Sequence, residues 1–139
     1  MAEFNGPDFK TLQHAGEYGN LCAAVLAYTY AAEAAGSIVK FGQLAGGITI
    51  TRVFMKSADL GGAQTYDLGY RYLTSGDGTS DPDGFLDGVD TGTAAAANTY
   101  NGPLEIAEGD GIEIVGTNIG AAATGLVEVI VEYIYNGNG

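Results

Sequence analysis

The chain has 139 residues, one histidine, one cysteine and no tryptophan, and its formal net charge at pH 7 is −12. This length suffices for one domain with its own core. A single cysteine excludes an intramolecular disulfide and multi-cysteine metal sites, and a single histidine excludes the usual multi-histidine sites. The negative charge argues against binding nucleic acid through its phosphates. We therefore expect function to reside in surfaces.

The charge is unevenly placed along the chain. Residues 72–139 contain eleven acidic and no basic side chains, whereas residues 1–71 contain six acidic and five basic ones. Mutual repulsion that keeps the protein in solution explains this pattern. An outward acidic face, or a face that meets a basic partner or a divalent cation, explains it equally.

Residues 1–20 are polar and lack the apolar run of a secretory signal, so we expect a leaderless protein made in a cytoplasm. The longest nearly apolar stretch, Leu21–Ala35, is too short to span a bilayer, and no membrane partner is expected. Residues 1–20 are predicted to form an extended N-terminal arm, and residues 21–139 the folded domain. Phe4, Phe9 and Leu12 are the apolar anchors of this arm, which is either a free tail or a strap over a neighbour.

The first half of the domain favours strands. Leu21–Ala35 is rich in alanine and is the one helix candidate. Its tyrosines and threonine nevertheless favour a strand, which is predicted to span Val25–Ala32. Further strands are predicted at Ser37–Phe41, Ile48–Lys56 and Gln64–Leu73. Alternation places Ile48, Ile50, Arg52 and Phe54 on one face of their strand, and Tyr66, Leu68, Tyr70 and Tyr72 on the buried face of theirs.

Residues 75–102 are dominated by Gly, Asp, Pro and Ser, which predicts a long loop. Within it, Phe85, Leu86 and Val89 have the spacing of one short helical turn that would pin the loop to the core. A loop of this length in a compact domain is usually functional or partly disordered.

Three strands are predicted in the last third: Leu104–Ile106, Ile112–Val115 and, after a small-residue loop over Gly116–Gly125, Leu126–Tyr135. The last has a uniformly apolar face on its odd-numbered residues. Its other face consists of Leu126, Ile130 and Ile134, interrupted by Glu128 and Glu132, which indicates a sandwich exterior or a subunit contact. In all, seven or eight strands with short turns predict an all-β, single antiparallel sandwich or barrel.

Catalysis has little support in the sequence. His14, the only histidine, lies in the polar N-terminal segment, and Cys22 opens an apolar strand, where a buried and inert thiol is the usual outcome. We expect no enzymatic activity and no cofactor.

The segment Thr79–Asp90 is the one candidate metal site. Aligned with the twelve-residue calcium loop of EF-hands, Asp81, Asp83, Asp87 and Asp90 occupy ligand positions three, five, nine and twelve. Position one is Thr79, Pro82 lies inside the loop and no helix flanks it. Turn chemistry in an acidic loop accounts for the same residues without calcium.

The chain resembles the capsid decoration (cement) proteins and related small virion structural proteins of tailed bacteriophages. The resemblance covers residues 21–135 and rests on composition and on a succession of segments: Ala23–Ala35, Gly46–Ile50, Asp67–Tyr70, Phe85–Asp90 and Val127–Tyr135. It implies a jelly-roll-like sandwich, often a homotrimer, bound to major capsid protein on the outer surface of the virion. The interface is then expected at Phe4, Phe9 and Leu12 of the arm and at Leu126, Ile130 and Ile134.

Two other functions remain open on the sequence. One is a receptor- or glycan-binding module of a head or tail fibre, with Ser75–Gly102 as its binding edge. The other is a β-module that depends on calcium at the four aspartates.

Overall fold

The computed structural model describes residues 2–7, 21–62, 64–92 and 96–136. These residues form nine β-strands and no helix. The strands are β1 (Glu3–Asn5), β2 (Leu21–Glu33), β3 (Ile38–Leu44), β4 (Ile48–Ser57), β5 (Thr65–Tyr72), β6 (Asp81–Asp90), β7 (Ala96–Ile106), β8 (Ile112–Ile119) and β9 (Ala123–Tyr135). Within the described ranges there is accordingly no helix long and apolar enough to cross a membrane.

The strands form two sheets. Sheet A has the order β1-β3-β8-β5-β6, and sheet B has the order β2-β9-β4-β7. Every pairing is antiparallel except that of β1 with β3, which is parallel. The two sheets bury their inner faces against each other, and the predicted all-β, jelly-roll-like sandwich is confirmed.

The core lies between the sheets and follows the alternation in the sequence. On β9, Val127, Val129, Val131 and Tyr133 are buried, as the odd-numbered apolar face predicts. On β5, Tyr66, Leu68 and Tyr70 are buried, which confirms the predicted inner face of that strand. The same period places the even-numbered residues of β9 on the opposite face of the sheet.

Residues 21–33 form a strand and not a helix. β2 pairs along its whole length with β9, so that Leu26 lies opposite Val129 and Val25 opposite Ile130. Alanine favours helix only weakly, and burial of Leu26 and Tyr30 against sheet A outweighs that propensity.

The predicted faces of β4 are wrong after Ile50. A bulge at Thr51 shifts the register between Ile50 and Arg52 against both neighbouring strands. The extra residue reverses the alternation, so that Val53 is buried while Arg52 and Phe54 lie on the outer side.

The prediction of a long loop at residues 75–102 is also wrong, as is the prediction of a helical turn within it. Asp81–Asp90 is β6, which pairs with β5 through two register shifts, and β7 begins at Ala96. Phe85 and Leu86 do anchor this segment in the core, but as strand residues. The predicted loop at Gly116–Gly125 is likewise mostly strand, because β8 continues to Ile119 and β9 begins at Ala123.

Part of the predicted arm belongs to the sandwich. Glu3–Asn5 forms β1 at the edge of sheet A, and Phe4 is half-buried against the core. Glu3 forms ion pairs through its Oε1 with Lys40 Nζ at 3.1 Å and with Arg71 Nη2 at 3.3 Å. These contacts hold the pKa of the Glu3 carboxyl below its usual value. The other predicted anchors, Phe9 and Leu12, lie outside the described residues, as does His14.

Candidate functional site

The outer face of sheet B carries a set of exposed apolar side chains, which we call the apolar face. Leu21 and Val25 are each 61% exposed, Leu126 is 40% exposed and Ile130 is 36% exposed. Phe54 and Ile134 complete the set and are half-exposed. Strand register makes this one surface, because Val25, Ile130 and Phe54 are consecutive neighbours across β2, β9 and β4.

Charged side chains interrupt the apolar face in two rows. In one row Arg52 of β4 lies beside Glu132 of β9, with Nε 3.2 Å from Oε1, and its guanidinium lies 4.5 Å from the centre of the Phe54 ring. In the other row Lys56 lies opposite Glu128. Acidic residues therefore occupy β9 and basic residues occupy β4, and the four charges cancel.

A depression of about 280 Å³ lies at the centre of this surface and is lined by Phe54, Lys56, Glu128 and Ile130. Contiguous exposed apolar surface on a soluble protein is typical of an interaction site. A surface depression lined by two apolar and two charged side chains is suited to side chains of another macromolecule. We conclude that the apolar face is the candidate interaction surface.

A second feature is an acidic cluster on the outer side of sheet A. One carboxylate oxygen from each of Asp67, Asp83 and Asp87 lies within 4.8 Å of the others. Asp67 comes from β5, whereas Asp83 and Asp87 come from β6. The predicted calcium set is therefore only partly brought together, and the cluster includes a residue from another strand.

The remaining two predicted calcium ligands have other contacts. Asp90 accepts a hydrogen bond from the Gly92 N–H at 2.8 Å. Asp81 shares a hydrogen bond with the side chain of Asp83, which raises the pKa of the Asp81 carboxyl. The EF-hand spacing fails because Asp81–Asp90 is an extended strand paired with β5, whereas the calcium loop wraps its residues around one centre.

Asp67 is electrostatically unfavourable in its ionised form. Partial burial, followed by the charges of Asp87 and Asp83, raises the pKa of its carboxyl, although its Oδ1 accepts a hydrogen bond from the Gly88 N–H at 2.8 Å. A carboxyl whose pKa is higher in the folded state than in the unfolded state stabilises the fold less as pH rises through the folded pKa. The Asp67 contribution is therefore largest below the unfolded value near 3.8 and is lost by neutrality.

We expect Asp67→Asn to raise the melting temperature at pH 7 by about 1–3 °C, since the amide keeps the acceptor for Gly88 and removes the charge. Thermal unfolding at pH 7 and at about pH 3.5, below the unfolded pKa, measures this, and the gain should vanish at the lower pH. Asp59→Asn is the matched control, because Asp59 Oδ1 likewise accepts a backbone N–H, from Gly61 at 2.9 Å. An equal response of the two variants would contradict repulsion within the acidic cluster.

The described residues give no indication of a catalytic centre. Cys22 is half-buried on β2, facing Tyr133 of β9 across the ladder. The buried tyrosines Tyr30 and Tyr66 hydrogen-bond each other through their hydroxyls at 2.7 Å, and burial raises the pKa of both. They connect the two sheets inside the core, where no substrate reaches them.

Sequence reasoning identified half of the apolar face. Leu126, Ile130 and Ile134 were predicted from the alternation of β9 alone. Leu21, Val25 and Phe54 were missed, because their membership depends on β2 and β4 flanking β9. That order is not encoded in any local pattern.

The fold and the apolar face together define a small β-sandwich with an exposed apolar surface on sheet B. No family model matches the sequence, and no curated protein matches it. The structure is similar to a chain in the capsid of Ralstonia phage GP4, with 19% identity, a TM-score of 0.73 and coverage of 98% of this chain and 99% of that chain.

Two further capsid structures contain similar chains. One is the capsid asymmetric unit of cyanophage Pam1, with 17% identity, a TM-score of 0.66 and coverage of 88% and 90% of the two chains. The other is the acidic stable capsid structure of Helicobacter pylori bacteriophage KHP30, with 10% identity, a TM-score of 0.62 and coverage of 87% and 92%. At these identities the likeness concerns the fold, and at that level it confirms the resemblance drawn from the sequence.

Proposed function

We propose that this chain is a non-enzymatic structural protein of a bacteriophage virion, which decorates the outer surface of the capsid and stabilises it by binding major capsid protein. The observation that carries the proposal is the shared fold, which extends over nearly the whole of both chains in the match to the Ralstonia phage GP4 capsid. Both sheets of the sandwich therefore have counterparts in a chain that is part of a capsid.

The N-terminal segment, residues 1–20, supplies the contact with the shell in this proposal. Pairing of Glu3–Asn5 with β3 and packing of Phe4 against the core tie the segment to the sandwich. Phe9 and Leu12 are its apolar side chains beyond that point, and they would bind between neighbouring capsid subunits. Leu126, Ile130 and Ile134 on the apolar face form a subunit contact.

Stabilisation follows from the number of copies. A capsid presents many equivalent sites, so weak individual contacts acting together resist separation of the shell subunits. Self-assembly is part of the proposal, and the resemblance implies a homotrimer as its form. The acidic bias of residues 72–139 is consistent with the solvent-facing side of a particle.

Heating virions with and without the protein tests this function. We expect particles that lack it to release their DNA at a lower temperature, and addition of the purified protein to restore the higher temperature. Equal rupture temperatures would overturn a stabilising role. A Phe9→Asp/Leu12→Asp variant should fail to restore the temperature, whereas Leu73→Asp, at an exposed apolar residue of the sandwich, should succeed.

The fibre alternative has lost the feature that suggested it. Its binding edge was the loop at Ser75–Gly102, and most of that range is β6 and β7. Immunogold labelling still separates the two functions. Label over the whole head supports decoration, whereas label confined to a tail or to a few head positions would overturn it.

A further inference from the structure

We propose that the apolar face binds the apolar face of a second copy of this chain, about a two-fold axis that runs parallel to the strands between β9 and β4. This inference deepens the proposed function, because it rests on that function and names the partner of the subunit contact. Its basis is the arrangement of charge across the surface.

Charge balance makes the apolar face the region where two copies can approach. The protein carries a net charge of −12, so two copies repel each other over most orientations. On the apolar face the charges of Arg52 and Lys56 cancel those of Glu128 and Glu132. Copies that meet there avoid the repulsion and bury the exposed apolar side chains of β9 and β4 between them.

Only one of the two-fold orientations in the plane of the sheet is complementary. An axis parallel to the strands places β9 of each copy over β4 of the other, so that Glu132 meets Arg52 of the second copy and Glu128 meets Lys56 of the second copy. An axis across the strands instead places Glu128 over Glu132 and Lys56 over Arg52, which juxtaposes like charges. The favoured orientation leaves no charge of these two rows without an opposite neighbour.

The apolar contacts follow from the same axis. Ile130 of each copy lies over Phe54 of the other, above the depression that these two side chains line. Aligned strands also satisfy the usual packing of sheets face to face, with a separation of about 10 Å. The row between the charge pairs is thus apolar in both copies.

The size of the surface predicts weak association. With this axis β2 of each copy lies over β7 of the other, so all four strands of sheet B take part. Four strands about 4.8 Å apart and roughly ten residues long cover roughly 650 Å² per copy, or about 1,300 Å² in total, which is at the low end for a specific interface. Such a contact is favoured when many copies are concentrated on one particle. The contact pairs each chain with one other copy, so single chains become dimers and a trimer would offer three such contacts.

Charge reversal with complementation tests the contact. We expect Arg52→Glu and Glu132→Arg each to weaken association about tenfold or more, because each places like charges opposite each other in two copies. An equimolar mixture of the two variants should associate as the wild type does. In the mixed pair the two substituted side chains face each other with opposite charge, and so do the two native ones. Light scattering at increasing concentration measures the mass, which should rise to at least twice that of the unassociated form.

The matched control is Glu108→Arg, which makes the same change in charge as Glu132→Arg but on the turn between β7 and β8. This variant should associate as the wild type does. Circular dichroism and the melting temperature establish that each variant is folded. Failure of the mixture to associate, or wild-type association of the single variants, would overturn the contact.

The same variants distinguish this contact from the decoration function. Under the present proposal, Arg52→Glu loses self-association but still sediments with empty capsids through its N-terminal segment. Loss of capsid binding by both single variants, without rescue in the mixture, would instead assign the apolar face to the shell and overturn the two-fold contact. Loss of capsid binding by every form, wild type included, would overturn decoration and leave the solution measurement intact.

Discussion

Replacing Gly69 with alanine is expected to destabilise the sandwich by about 3 kcal/mol, or roughly 10 °C in melting temperature. Gly69 lies on the outer side of β5, where β6 begins to cross it. A Cβ atom at this position would overlap the carbonyl oxygen of Asp81 and the backbone of Pro82. Backbone atoms cannot rotate away as a side chain does, so β6 itself would have to move.

Gly76→Ala is the matched control for this prediction. A Cβ atom at Gly76 has no neighbour within 4 Å, so the same chemical change adds no overlap. We expect its melting temperature to stay within about 2 °C of the wild type. Thermal and urea unfolding of both variants measure the difference. Similar stabilities would contradict the close crossing of β6 over β5.

Removing one hydroxyl of the buried tyrosine pair has the second largest expected effect. Tyr30 belongs to sheet B and Tyr66 to sheet A, and both side chains are almost entirely buried. Tyr66→Phe leaves the Tyr30 hydroxyl in the core without its partner at 2.7 Å, which costs about 1–3 kcal/mol. Tyr30→Phe has the same effect on Tyr66.

The double variant distinguishes this cause from a loss of packing. Tyr30→Phe/Tyr66→Phe removes both hydroxyls, so neither is left without its partner, and its loss of stability should be smaller than the sum of the two single losses. Urea unfolding of the three variants measures these losses. Tyr72→Phe is the control, because the Tyr72 hydroxyl accepts a hydrogen bond from the Ala107 N–H at an exposed position. Additive losses would indicate that the two buried hydroxyls contribute separately.

The sequence predicts those parts of the fold in which local pattern and burial agree. The alternation of apolar residues in β9 and β5 was sufficient to predict their inner faces, because each strand has one buried face without interruption. β4 was predicted as a strand but with wrong faces after Ile50, since a bulge inserts one residue without any marker in the composition.

β6 was missed for a different reason. Asp, Gly and Pro predict turns because of their local conformational preferences. In the structure, pairing with β5 and burial of Phe85 and Leu86 outweigh those preferences, and the register shifts absorb the irregularity. The prediction of the acidic cluster omitted Asp67 for a related reason, because Asp67 lies near Asp83 and Asp87 only through this pairing.

The order of the strands has a consequence for synthesis of the chain. β8 lies between β3 and β5, and β9 lies between β2 and β4. β8 and β9 follow the other seven strands of the described residues, so the strands that join the parts of each sheet are made after those parts. Before β8 and β9 are made, sheet A is divided into the pairs β1-β3 and β5-β6, and sheet B into β2 alone and the pair β4-β7. The non-local pairing that joins these parts is slow compared with local folding. A chain that lacks both strands completes neither sheet, and the apolar face forms only after β9 is made, because β9 lies between β2 and β4 in that face.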